Sequence, residues 1–529
     1  MHQAPPRFSP PENQALIAVG SATSTTADNS STSIRANPPT ISLPNNNDLN
    51  NCNDTHVTRQ DDRLVKLFYE NLHLAHPILV PSAFYHGQQY PRFLQLVVHL
   101  IGSRYLPSEP SQQLKDNVES QLTMSQDRSP SMVQACLLYA IYLDACNDYS
   151  KARDAFSKSA QIASELGMHR SSFASSMGSE RSVEAESMRR TWWELYVVDV
   201  FMNISSKPLT FHCQIATPEV ALPCEEALYV RASGIPAPAS FLAFRRRVFS
   251  AEETIFPSFS YRIDAVMILC RVLVLNQVRE PHRDQLQAVE NALVSWVNHL
   301  PSSKREIIDS YGTVDEMMFQ AHIAIAYAAM LLHLPRSELQ PLLPPRGDIF
   351  WPCTPSELSS TFSRVVHSIK ATEASRRVSD FVSICPNMNK HSPLITPALG
   401  LCGMIQLATS LSHADDCFDH HCNRVTLILG CLRVAGRTWD SASMTFHRVR
   451  TCAAEILSES IDDWSSRLSE KITPGHNIND LRSGNRDLGS LQNDQDAQNQ
   501  VLLDLSQGFV DSACYDTSLF NSLGDFDLI

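Results

Sequence analysis

The stretch from Met188 to Pro208, Met-Arg-Arg-Thr-Trp-Trp-Glu-Leu-Tyr-Val-Val-Asp-Val-Phe-Met-Asn-Ile-Ser-Ser-Lys-Pro, limits the folds open to this chain more than any other. It is too apolar and aromatic to face water. Yet Arg189 and Arg190 open it, and Asp199 sits among Val197, Val198, Val200 and Phe201, where an unpaired carboxylate would be costly. The segment therefore reads as a central, buried helix that carries its own ion-pair partners. Glu186 to Arg190 and Arg190 to Glu194 have the four-residue spacing that lets charges meet along a helix. Trp192, Trp193 and Tyr196 read as core packing that supplies large apolar area. Asp199 reads as a satisfied structural carboxylate, with an arginine as its candidate partner. Use of Asp199 as a catalytic base would need a second acid, base or nucleophile, and the sequence places none beside it.

The surrounding pattern is helix after helix. Ser129-Pro130 is a cap followed by a first-turn proline, and the helix it starts puts Val133, Cys136, Leu137, Ala140 and Ile141 on one face. After Asn147-Asp148, the residues Ala152, Ala155, Phe156, Ala163 and Leu166 form a second apolar face, and Gly167 stands where a helix C-cap belongs. This predicts an antiparallel helical hairpin. Ser171 to Ser182 reads as a polar linker. Further helices are expected over 241–248, 255–278, 286–300, 314–334, 358–382, 396–411 and 425–457. No run alternates at period two and no fixed-period repeat is present, so the expected class is all-α, an irregular multi-helix domain over residues 63–460.

Both ends differ in composition. Residues 1–62 are rich in Ser, Thr, Asn, Pro and Gln, with too little apolar material to offset the entropy of folding, and are expected to be a disordered arm. Residues 461–529 read as a polar linker and an acidic-hydrophobic tail. After Arg486 there is no lysine or arginine but eight aspartates. Among them stand bulky apolar groups including Leu503, Phe509, Phe520 and Phe526, the interleaving expected of an activation segment that keeps its aromatics open to a coactivator groove. The competing reading is a frayed terminus with a short helix that packs back on the domain.

Composition narrows the function. A formal net charge of -13 argues against attraction of the whole chain to nucleic-acid phosphates. The fourteen cysteines are scattered, with no Cys-x-x-Cys pair, so most are expected to be buried thiols of an intracellular protein. No secretory signal is visible. The longest wholly apolar run, Ile323 to Leu332, is far short of the roughly 18 residues that span a bilayer, so no membrane role is expected. Nucleophile elbows, phosphate-binding loops and His-Glu-x-x-His helices are missing, which argues against an enzyme. His413, Cys417, His420, His421 and Cys422 are the sequence-local cluster with metal-ligand chemistry, but their spacing fits no zinc module, so neither a metal nor a cofactor is expected there.

The aromatic stretch, together with Tyr69, His76-Pro77-Ile78 and Phe84, the Leu166-Gly167-Met168-His169-Arg170 hairpin ending, Lys207-Pro208 and Val220-Ala221-Leu222-Pro223, resembles the fungal transcription-factor regulatory domain. This helical middle homology region normally follows a six-cysteine binuclear zinc cluster. The resemblance runs over roughly residues 64–460, with Ser206-Lys207 standing where the family usually has Gly-Arg. It implies a nuclear transcriptional regulator of a gene set such as a specialised-metabolite biosynthetic cluster. It further implies a homo- or heterodimer working with a coactivator or the transcription machinery, and contact with DNA directly or through a partner. The first 130 residues hold only Cys52. Zinc is therefore implied only if a cluster precedes this reading frame, and a regulator that has lost the cluster is the other option. The alternatives from other classes are a helical interaction scaffold outside transcription and an enzyme with an unfamiliar site.

Overall fold

The computed structural model describes residues 61–471, except 108–111, 205, 207, 214–218, 251–252, 279–280, 340–360 and 413–414. Residues 1–60 and the tail positions Leu503, Phe509, Phe520 and Phe526 thus lie outside the described residues. The class is all-α: among the described residues the sole β feature is an isolated bridge between Ile308 and Val314.

The longer helices are α1 (61–70), α2 (Arg92–Ser103), α3 (Gln112–Met124), α4 (Pro130–Ala145), α5 (Tyr149–Leu166), α6 (Val183–Asn203) and α7 (Ser258–Gln277). They are followed by α8 (Arg283–Asn298), α9 (Glu316–His333), α10 (Thr361–Ile384), α11 (Thr396–Ser412), α12 (Asp415–Ala435) and α13 (Asp440–Lys471).

Local chemistry starts and stops them. Ser129 caps α4 by accepting from the Met132 N–H, with Pro130 in the first turn, where its missing N–H costs nothing. Asp148 caps α5 in the same way through the Lys151 N–H. At the other end of α5, Gly167 takes a left-handed φ of 74° while Met168 N–H donates to the Ala163 carbonyl at 2.9 Å. That pairing returns the chain out of the helix with its last carbonyls satisfied. Gly102 serves a close approach: a Cβ there would stand 2.1 Å from the Leu64 carbonyl oxygen, so only hydrogen lets α1 lie on α2.

Helices pack mainly on their chain neighbours, α4 on α5, α9 on both α7 and α10, and α11 on both α12 and α13. Two longer-range contacts tie this succession together. The signature helix α6 touches α4, α5 and α7, and α13 returns to α4. Helix α4 is buried at every position from Met132 to Leu143, so it is a core helix with no wet face. One contiguous apolar core runs from Val65 to Ile456. The windows Glu316–Arg336 and Pro393–Leu411 are long and apolar enough to cross a bilayer, but 89% of each is buried inside the protein, as expected of core helices.

The sequence reading does not anticipate α3 or the Glu226–Arg231 helix, and two further elements differ from it. The single helix expected over 425–457 breaks into α12 and α13 at Gly436–Trp439, where Arg104 Nε donates to the Thr438 carbonyl at 2.8 Å and its guanidinium lies over the Trp439 ring. The distant Arg104 clamps this turn, and Thr438 Oγ1 donates to Asn389 Oδ1 at 3.3 Å. The polar linker expected at 171–182 holds a short helix, Ser171–Ser176.

Candidate functional site

Helix α6 begins at Ser182, whose side chain accepts from the Ala185 N–H at 3.1 Å. One turn in, Glu186 is fully buried and binds on three sides. It accepts from Arg189 Nε and Arg190 Nε, each at 2.9 Å, and from the Cys224 N–H at 2.8 Å. Arg190 also donates to the Cys224 carbonyl at 3.0 Å and to Glu226, and its guanidinium stacks 3.9 Å from the Tyr229 ring centre. Arg189 reaches the Glu180 carbonyl at 3.1 Å. Two buried arginines are thus neutralised within their own helix and against the 224–229 segment, which is the condition for burying a guanidinium at all.

Glu194 does something the spacing did not indicate. The sequence offers it to Arg190, but in the structure it takes a two-pronged grip from Arg262 of α7, at 2.6 and 2.8 Å. His76 Nδ1 lies 2.7 Å from the same carboxylate, and its other ring nitrogen 2.9 Å from Ser392 Oγ. Four chain segments therefore meet at one buried charge pair. Burial pushes the Glu194 carboxyl up, but the Arg262 fork and His76 outweigh it and bring the group from 4.5 down to about 2.

Asp199 departs from its expected arginine partner. Its Oδ2 accepts the backbone N–H groups of His212 at 2.6 Å and Cys213 at 2.7 Å, and Oδ1 accepts Asn203 Nδ2 at 3.2 Å. These amide donors, with the His212 ring Nδ1 3.5 Å from Oδ1, satisfy the carboxylate without an arginine and pin the loop that follows α6. Pro208 lies exposed in that loop.

Trp193 is 1% exposed and donates its indole N–H to the Ala221 carbonyl at 3.0 Å, while Trp192 is buried against His169. Tyr196 is only partly buried, packing edge-on to Trp193. The 220–224 segment is thereby laid along α6, with Leu222 buried and its N–H on the Ala239 carbonyl at 2.7 Å.

The 76–80 turn is the other half of the arrangement. Gln134 Nε2 and Ser187 Oγ both donate to the Ile78 carbonyl, Tyr229 Oη to the Leu79 carbonyl, and Tyr69 Oη to the Val80 carbonyl. Side chains from α1, α4, α6 and the 226–231 helix thus satisfy a buried stretch of irregular backbone that would otherwise be costly. Gln134, Tyr229, His76 and Arg262 carry this hub, and sequence reading gave none of them these roles. A polar residue inside a wholly buried helix, as Gln134 is, was the one available signal.

In the 413–422 cluster, the side chains of His413 and Cys417 lie outside the described residues, and His421 Nδ1 is 2.7 Å from Gln406 Oε1. Within the α6 network the buried carboxylates Glu186, Glu194 and Asp199 are each held by several donors, so the arrangement holds segments together.

The site thus belongs to an all-α body locked through a buried central helix that carries two arginines and their carboxylate partners. Residues 63–275 match the fungal specific transcription factor domain. The family is one of transcription factors, not enzymes. The chain is also similar to the C6 finger domain transcription factor iacK of Pestalotiopsis fici (strain W106-1 / CGMCC3.15140), at 29% identity over 404 residues. That match covers 75% of this chain and 59% of the relative. No solved structure matches the chain.

Proposed function

We propose that this protein is a fungal transcriptional regulator that acts in the nucleus on a defined gene set, such as a specialised-metabolite biosynthetic cluster. The observation that carries the reading is the match of residues 63–275 to a transcription-factor domain, on the segment where the buried α6 network lies. In this reading the helical body, whose α6 charge network fixes four chain segments together, is the regulatory module, working as a homodimer or heterodimer. The acidic-hydrophobic tail, with Leu503, Phe509, Phe520 and Phe526, recruits a coactivator or the transcription machinery. DNA is reached directly or through a partner that supplies the base contacts.

Deleting the gene and profiling transcripts tests the first claim. A coordinated fall in a small set of genes is expected, and an unchanged profile would remove the regulator reading in favour of a scaffold. Fusing residues 487–529 to an unrelated DNA-binding module tests the tail. Reporter output that drops on Phe520→Ala with Phe526→Ala supports activation, whereas a silent fusion removes it.

A further inference from the structure

Helices α8, α9 and α10 converge at a point remote in sequence from α6. Glu290 from α8, His333 at the last position of α9 and His367 from α10 face one another there. His333 Nδ1 lies 2.9 Å from His367 Nδ1 and 3.7 Å from Glu290 Oε1, and one ligand atom from each of the three residues falls within 4.8 Å of the others. Both imidazoles are buried, and the carboxylate side chain is 16% exposed.

Two ring nitrogens at this separation share at most one proton, because each neutral imidazole has a single lone pair. Burial pushes both rings toward the neutral form, helped at His333 by its neighbours His367, Lys370 and Arg336. The pocket therefore presents nitrogen lone pairs converging beside a carboxylate oxygen. Tetrahedral zinc with bonds of about 2.0–2.1 Å sets its ligand atoms about 3.3 Å apart. The 2.9 and 3.7 Å spacings bracket that value, and the third pair of ligand atoms lies within 4.8 Å.

Two cations bear on it. Lys370 Nζ holds Glu290 Oε1 at 3.0 Å, but its side chain is 45% exposed and can swing into water. Arg336 is turned to Asn276 Oδ1 at 3.1 Å and to the Leu332 carbonyl.

We propose that Glu290, His333 and His367 form a site for a divalent late transition-metal ion, of the zinc type, that clamps α8, α9 and α10 together. Two imidazoles and one carboxylate leave a fourth position open to water. Binding releases the proton shared by the rings and frees Lys370 from Glu290. No short-range motif announces the site, since its ligands are 43 and 34 positions apart in sequence.

The test uses the full chain, stripped with chelator and titrated with zinc by calorimetry, with cobalt(II) absorption reporting the coordination geometry. One equivalent is expected to bind in the wild type and to be lost in His367→Ala. Glu290→Gln, at a partly exposed position where folding is not at stake, should weaken binding by at least about 10-fold, the scale on which a metal site responds even to a lost supporting group. Cys417→Ser with Cys422→Ser should keep the equivalent. A wild type that binds no zinc would overturn the proposal. So would an equivalent that survives both His367→Ala and Glu290→Gln, or one that disappears with the two cysteines.

Discussion

Glu194 is a fully buried carboxylate where charge compensation from distant segments converges, with Arg262 on both its oxygens and His76 on one. Removing one side of such a pair strands a buried charge, which costs about 3–5 kcal/mol, whereas replacing both sides with apolar groups of similar size is close to neutral. Glu194→Gln is therefore expected to lower stability by about that amount in urea unfolding at neutral pH, and Glu194→Leu with Arg262→Met to recover most of it. The pH dependence has a definite sign. Because the folded carboxyl is held below its unfolded value of 4.5, its contribution is fully present above that pH and is lost as pH falls toward about 2. The wild type should lose stability across this window more steeply than Glu194→Gln. Parallel curves for the two proteins would show that the carboxylate gains nothing from its partners.

At the scale of single elements, two glycines separate conformational need from helix propensity. Gly167 sits at φ 74°, a region that costs an L residue about 1–2 kcal/mol. Gly430 lies inside α12 with open space where a Cβ would go. Gly167→Ala should destabilise by about 1–2 kcal/mol, and Gly430→Ala should stabilise by about 0.5–1 kcal/mol, both read from thermal unfolding. The first of these was visible in the sequence, as were the Ser129-Pro130 start and the Glu186–Arg190 pair, because caps and four-residue spacings are local signals. The Glu194–Arg262–His76 meeting was not, since its members lie 68 and 118 positions apart and nothing in either neighbourhood marks a partner. Asp199 was placed correctly in the buried helix but given the wrong kind of partner, because backbone N–H donors leave no trace in side-chain chemistry. The break at Gly436–Trp439 escaped for the opposite reason: apolar residues keep the helical period on both sides of it.

For the whole molecule, the family match ends at residue 275 but the core does not. Helix α7 packs against α9, and α9 begins only at Glu316. Helix α4 also contacts α13, which begins at Asp440. Each large apolar side chain returned to water costs about 1.5–3 kcal/mol, so exposing even a handful would consume the 5–15 kcal/mol or so by which a typical domain is stable. Residues 63–275 expressed alone should therefore lack fixed tertiary packing, with helical far-UV but weak near-UV circular dichroism and no sharp urea transition, while the full chain shows both. A fragment that unfolds cooperatively as a monomer would mean that α7 can close the core without α9, and that the apolar continuity from Val65 to Ile456 is not an energetic unit.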